Sequence, residues 1–306
     1  AESCTSRRVC RRCAAAFRAS VWSMTPRAEM MRPAVLSADQ PRAQPDPVPR
    51  RARGGDGEGD VEPRSRFHGP GDGTPTPGNG QAVTFAAADG LVVHGSLVKP
   101  SSGSTSAVVV LAHQLCSDRA EWSQAAHDWV SELARRGVTT IAIDLRGHGQ
   151  SKLFPDGSTK DLCSGGYADA LYGDMVSDVK AAVGYARTTL GAKAVAVMGA
   201  SIGSNSSLLA YAADAQLAMA VALSPGLDYL GLKTAAAALQ LGSRPVLLEA
   251  ADDDSYSASS VRQLKQLNGA VTTQVFPTGG HANQLFVTHP EELTRIADLV
   301  TSKLGI

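Results

Sequence analysis

The tightest constraint on this chain is a short turn, Gly199-Ala-Ser-Ile-Gly203. It follows an unbroken apolar run, Ala194-Val-Ala-Val-Met198, and opens a stretch with helical character over 204–213. An apolar run without alternation marks a strand covered on both faces. Passing from such a strand straight into a helix leaves only a few residues for the reversal, so the turn is sharp and crowded. Small residues on either side of the serine permit this. The turn lifts the Ser201 hydroxyl clear of the sheet, and the helix N-terminus directs N–H groups toward any negative charge that develops there. Ser201 is therefore the candidate nucleophile.

The same alternation runs through the rest of 81–306. Residues 81–86 and 91–98 read as short strands joined by the hairpin turn Ala87-Ala-Asp-Gly90. Ala107-Val-Val-Val-Leu-Ala112 is a second buried strand. Residues 121–136 carry Trp122, Ala125, Trp129 and Leu133 at helical spacing, with Gly137 as C-cap. Strands are predicted over 138–145, 217–223, 245–250 and 271–276, and helices over 174–190 and 291–304. Strands interleaved with helices give an α/β protein whose mostly parallel sheet is covered on both faces. The opening hairpin adds an antiparallel edge. No internal repeat is visible.

A serine hydroxyl attacks poorly without a base. Gly279-Gly-His281 lies just beyond the predicted strand 271–276, and its glycines let the imidazole swing, so His281 is the candidate base. His94, His127 and His289 lack that setting and read as surface or packing residues. The base in turn needs an orienting carboxylate. Strand 245–250 runs into Ala251-Asp-Asp-Asp254, which favours Asp254, with Asp253 next. The chain order Ser, Asp, His is the one expected for a nucleophile on a strand–turn–helix elbow.

Residues 1–80 differ in kind. They hold 13 Arg, no Lys and 9 acids, and 10 of the chain's 16 Pro. Proline-rich and glycine-rich stretches without periodicity read as disordered, with at most a short helix over 14–22. Their Arg clusters are those of a solvated linker or processed leader rather than a nucleic-acid or lipid site. Cys10 and Cys13 form a Cys-x-x-Cys half-site with no second pair at finger spacing, so no zinc is expected. The formal net charge of zero gives no overall pull toward nucleic acid or anionic membrane. No run of about 18 apolar residues appears, so no transmembrane segment is expected. No apolar signal core is visible in 1–30, which favours a cytoplasmic location over secretion. Five cysteines leave at least one unpaired in a monomer; Cys116 and Cys163 are expected to pair only if the protein is secreted.

Together, Gly199–Gly203, Asp144-Leu-Arg-Gly-His-Gly-Gln-Ser151, Leu247-Leu-Glu-Ala-Ala-Asp-Asp-Asp254 and Gly280-His281 make residues 81–306 resemble the α/β-hydrolase superfamily. The resemblance implies an α/β-hydrolase fold, a mostly parallel eight-stranded sheet with helices on both faces, and the triad Ser201, Asp254 and His281. It also implies an oxyanion hole built from the N–H of Ile202 and that of Leu115 or Gln114. Here the chain departs from the family, reading His113-Gln-Leu-Cys116 where many members have His-Gly. His113 is expected to brace that loop. Only residues 224–244 separate two strands between which many members insert a cap, so no large cap is expected. The loop 152–172, with Phe154, Tyr167 and Tyr172, is then expected to wall the pocket. This compact layout is similar to dienelactone hydrolases and small esterases. Ser201 departs from members with a cysteine nucleophile, and from haloalkane dehalogenases, which use aspartate. The implied activity is hydrolysis of small to medium, short-acyl carboxylic esters with water through an acyl-enzyme, with no cofactor and no metal. A thioesterase, a lactonase, and an amidase or peptidase share the triad, and a catalytically silent binding module is the non-enzymatic alternative.

Overall fold

The computed structural model describes residues 80–306. The expectations of disorder, of a short helix and of a lone Cys half-site in the N-terminal segment fall outside the described residues.

The chain begins with β1 (Gln81–Ala86), β2 (Val92–Val98) and β3 (Ala107–Ala112), followed by α1 (Trp129–Arg135) and β4 (Thr139–Ile143). Next come α2 (Asp169–Gly173), α3 (Met175–Thr188), β5 (Ala194–Ala200), α4 (Ile202–Ala213) and β6 (Ala220–Leu223). A small hairpin of β7 (Asp228–Tyr229) and β8 (Leu232–Lys233) precedes α5 (Ala235–Gln240) and β9 (Val246–Ala251). The chain closes with α6 (Ser255–Leu267), β10 (Thr272–Phe276), α7 (Leu285–Thr288) and α8 (Glu291–Leu304).

Eight strands form one sheet in the order β1-β2-β4-β3-β5-β6-β9-β10. β1 pairs antiparallel with β2, and β2 antiparallel with β4. Every other pairing in this sheet is parallel. The strands obey period two. In β3, Val108, Val110 and Ala112 join one core cluster, while Ala107, Val109 and Leu111 join the other. The first cluster lies under α3, α4 and α6, through Met175, Val179, Leu208, Val261 and Leu264. The second lies under α1 and α8, through Trp129, Leu133, Ile296 and Val300.

One predicted helix changes, and one helix arises that the sequence does not predict. The helix expected over 121–136 is broken: a 3-10 turn covers Arg119–Ser123, and α1 starts only at Trp129. Asp128 ends the intervening turn by accepting the Ser131 N–H at 3.0 Å, an N-cap. Trp122 and Trp129 are both buried, but Ala125 is exposed in the break. Helix α6 is absent from the sequence reading. Its buried stripe mixes Ser257 and Ser260 with Ala258, Val261 and Leu264, and its exposed face is rich in Ser, Gln and Lys, so the apolar signal is weak.

The Asp144–Ser151 segment carries two buried ion pairs. Arg119 donates to Asp144, and Arg146 donates to Asp178 at 2.7 Å, all four side chains being essentially inaccessible. Arg146 also reaches Asp89 in the first hairpin turn at 2.9 Å, so it ties that turn to α3. Asp178→Ala would remove the one fully buried carboxylate that meets the Arg146 guanidinium, leaving it only the solvent-exposed Asp89 and Asp174. It should cost about 3–5 kcal/mol and lower the melting temperature by on the order of 10 °C, read by circular dichroism. An unchanged midpoint would show that this pair does not hold α3 to the sheet.

Candidate active site

Ser201 sits between β5 and α4 with φ 53° and ψ −119°. Such a conformation costs a non-glycine residue about 1–3 kcal/mol and persists only where the surroundings enforce it. The enforcement is visible. The Ser201 N–H donates to the Leu223 carbonyl at 2.9 Å, and its own carbonyl accepts the Ser204 N–H at 2.9 Å. A Cβ on Gly199 would overlap the Gly203 carbonyl, and one on Gly203 would overlap the carbonyls of Ala112 and His113. The two glycines therefore let β5, α4 and the end of β3 approach one another at backbone contact.

His281 lies on the loop after β10, and its Nδ1 is 2.7 Å from Asp254 Oδ2. Facing a carboxylate, Nδ1 carries the proton and Nε2 is left as the basic nitrogen. The three aspartates separate by what they touch. Asp252 pairs with Arg262 at 2.5 Å. Asp253 accepts the N–H groups of Gly279 and Gly280 at 3.1 and 3.0 Å, which hold its pKa below the usual value. Asp254 alone of the three meets the imidazole. Burial pushes its pKa upward, but hydrogen bonds from His281, Ser257 and Ser224 outweigh that and keep it below the ordinary value.

Ser201 and His281 meet the same corner of the fold. Leu223 accepts from the Ser201 backbone, and the next residue, Ser224, accepts the Ala282 N–H on its hydroxyl at 2.8 Å. Ser224 and Ser257 escaped the sequence reading, because nothing in a lone serine's neighbours announces a partner far along the chain. Tyr229 is a third. Its hydroxyl lies 3.0 Å from Ser257 Oγ and donates to the Ser224 carbonyl at 3.3 Å. Burial pushes its pKa to about 12 against hydrogen bonding to Ser257 and Ser201, so it stays a neutral phenol beside the nucleophile.

Asn205 explains why Tyr229 stays there. Buried on α4, it donates to the carbonyls of Gly226 and Leu232 at 2.9 and 2.7 Å and accepts the Gly226 N–H at 3.0 Å. One amide thus fastens the β7–β8 hairpin over the nucleophile. The segment 224–244 contains only this hairpin and α5, in keeping with the expected lack of a large cap. In the loop 152–172, Phe154 and Tyr172 are buried in the core, Tyr172 donating to the Leu162 carbonyl at 3.0 Å, and Tyr167 packs partly buried against that core. Lys152, Asp161 and Cys163 of the same loop line a cavity with Cys116, Glu121 and His148.

The backbone N–H groups of Ile202 and Leu115 make no hydrogen bond among the described residues. Gln114 differs, because its N–H donates to Glu121 Oε2 at 3.2 Å. Of the two candidates left open by the sequence, only Leu115 has a free donor. His113 braces the loop as expected. Its Nε2 accepts the Leu145 N–H at 3.0 Å, so Nδ1 carries the proton and donates to the Gln114 carbonyl at 2.7 Å. Complete burial, and then the neighbouring His148, push its pKa to about 3, so it stays neutral. Cys116 and Cys163 form a disulfide, which links this loop to the segment 152–172.

Five non-glycine residues with positive φ occur among the described residues: Cys116, Ser201, Ser224, Leu230 and Ala282. All five lie on the segments just described, the clustering of backbone strain that marks functional sites. Among the described residues, no group of three or more His, Cys, Asp or Glu is arranged to hold a metal ion. No helix among them is long and apolar enough to cross a membrane.

Strand order, elbow and the imidazole–carboxylate pair define an α/β-hydrolase. The chain belongs to the serine aminopeptidase, S33, family, which matches residues 103–281, more than half its length. It is therefore a hydrolase, acting on a small-molecule substrate with water. No curated protein matches the sequence. Solved structures share the fold. An esterase of Pyrococcus furiosus is 17% identical with a TM-score of 0.58, over 74% of this chain and 93% of its own. A dienelactone hydrolase from Anabaena variabilis is 21% identical with a TM-score of 0.57, over 74% and 97%. Est1E from Butyrivibrio proteoclasticus, solved with ferulic acid bound, is 16% identical with a TM-score of 0.56, over 72% and 100%.

Proposed function

We propose that this chain is a serine carboxylic-ester hydrolase acting on small to medium, short-acyl esters through an acyl-enzyme. The observation that carries the reading is the 2.7 Å bond between His281 Nδ1 and Asp254, on a loop anchored at the corner that also holds the strained Ser201. The Ser201 oxygen attacks the ester carbonyl as His281 Nε2 takes its proton. The N–H groups of Leu115 and Ile202 hold the oxyanion, each worth a factor of about 10²–10³ in such sites. Asp254 fixes the tautomer and stabilises the imidazolium. Collapse breaks the ester C–O bond, and the leaving alkoxide takes the proton from His281. Water then attacks the acyl-enzyme, giving its proton to His281; the carboxylic acid leaves, and Ser201 recovers its proton.

The short-acyl preference follows from the small covering structure. A two-stranded hairpin and one short helix offer little apolar surface to wrap a long chain. On p-nitrophenyl esters from two to sixteen carbons, kcat/KM should peak at six carbons or fewer; a maximum at the longest chains would reject this preference. A fluorophosphonate should label Ser201, whereas a silent binding module would stay unlabelled.

The family's name supports a second reading, cleavage of an amide. Aminoacyl p-nitroanilides run beside the esters separate the two: the ester reading requires the larger kcat/KM on esters. The disulfide supports an oxidising compartment, where such bridges persist.

A further inference from the structure

Glu121 is buried and has no part in the scheme above, yet its carboxylate touches both loops on which that scheme depends. Oε2 accepts the Gln114 N–H at 3.2 Å, and Oε1 accepts from the side-chain amide of Asn283, two residues beyond His281. We infer that Glu121 is a positioning residue that sets the direction of the Leu115 N–H and fixes its distance from the histidine loop.

The argument rests on peptide planarity. The Gln114 carbonyl and the Leu115 N–H belong to one peptide unit, and no peptide in the described chain is cis. In a trans unit the C=O and N–H point in opposite directions. The Gln114 carbonyl is held inward by His113 Nδ1 at 2.7 Å and by the Ser117 N–H at 3.2 Å. The Leu115 N–H therefore points the other way, and it has no partner among the described residues. The inward hold requires Gln114 itself to keep its backbone angles, and Glu121 supplies that by taking its N–H. The following residue, Cys116, sits at φ 61°, a backbone that would relax if the loop were released. The other end of the clamp is Asn283. With the Ala282 N–H on Ser224 and the Asn283 amide on Glu121, the two residues after His281 are both fixed. One carboxylate thus spans the two halves of the site, the half that receives the oxyanion and the half that moves the proton.

Burial raises the Glu121 pKa, while the Ser117 hydroxyl, the Gln114 amide and Asn283 lower it, with Asp118 adding to the rise. The surroundings are therefore built from donors aimed at a carboxylate. An apolar replacement of similar size leaves those donors unpaired, whereas glutamine restores one acceptor for Gln114 and lets Asn283 turn its amide oxygen to meet the new NH2.

This inference rests on the ester-hydrolase reading, and the test separates the two. Wild-type protein is first assayed on p-nitrophenyl butyrate and for inhibition by an alkyl trifluoromethyl ketone, whose hemiketal oxyanion needs the same N–H groups. An inactive, uninhibited wild type overturns the reading of function itself. Given an active wild type, Glu121→Met should lower kcat by about 10–100-fold with KM changed less than about threefold, and should weaken the ketone by a similar factor. Glu121→Gln should recover most of both. If Glu121→Met does not fold, Glu121→Asp, which keeps the charge but withdraws the oxygens by one methylene, should show the same split in milder form. A folded variant with wild-type kcat overturns the inference. So does a kcat loss without weaker ketone binding, because the hemiketal oxyanion needs the same Leu115 N–H and would weaken with it if Glu121 set its direction.

Discussion

Ser201→Ala should reduce hydrolysis of p-nitrophenyl butyrate by about 10⁴–10⁶-fold and abolish fluorophosphonate labelling. The melting temperature should stay the same or rise. The hydroxyl is the only part of the side chain removed, so the elbow keeps its glycine contacts and its N–H bond to Leu223. What is lost is the nucleophile, and with it the covalent intermediate that divides one difficult hydrolysis into two easier steps. The residual rate over water would come from the two N–H donors and from substrate binding. Any stability gain would come from removing a buried hydroxyl in a strained turn, a polar group that folding does not need. The measurement is a steady-state rate beside a thermal melt of both proteins. An alanine variant that keeps a tenth or more of wild-type turnover would remove Ser201 from the mechanism, whatever the geometry of His281 and Asp254.

Sequence and structure agree where a residue's role is set by its immediate neighbours. The buried strands were legible because β3 and β5 are apolar throughout, which only a sheet covered on both faces requires. The elbow was legible because crowding demands glycine at 199 and 203. Helix α8 was legible to its ends, since Pro290 precedes it and Gly305, at φ 77°, closes it in the left-handed region. Legibility failed where the partner lies elsewhere in the chain. Ser224 is tied to Ala282, Tyr229 to Ser257, and Glu121 to Asn283, over separations of 58, 28 and 162 residues. Glu121 illustrates the difficulty best. Its position beside Trp122 and ahead of Trp129 reads as the polar face of a helix, yet the helix is interrupted and the carboxylate turns inward. The choice between Gln114 and Leu115 was undecidable for the same reason, because it depends on where the Glu121 oxygens point.

The three consecutive aspartates give the sharpest test of how the site is divided. Asp254→Asn should lower kcat by about 10⁴-fold, with the fold intact. An asparagine at this position offers an N–H to Nδ1, which moves the ring proton to Nε2 and leaves no nitrogen able to accept the Ser201 proton. It also removes the charge that stabilises the imidazolium. Asp253→Asn should cost less than about tenfold. Its carboxylate holds the N–H groups of Gly279 and Gly280, and an asparagine oxygen can still accept one of them. The loss there should appear as a small change in both kcat and KM, because the loop that carries His281 becomes looser without losing its proton chemistry. The two variants differ by a single residue in position and carry the same change of charge, so a general electrostatic effect predicts equal losses. Equal losses, or a larger one at 253, would mean that the 2.7 Å contact of Asp254 with the imidazole is not what orients the base.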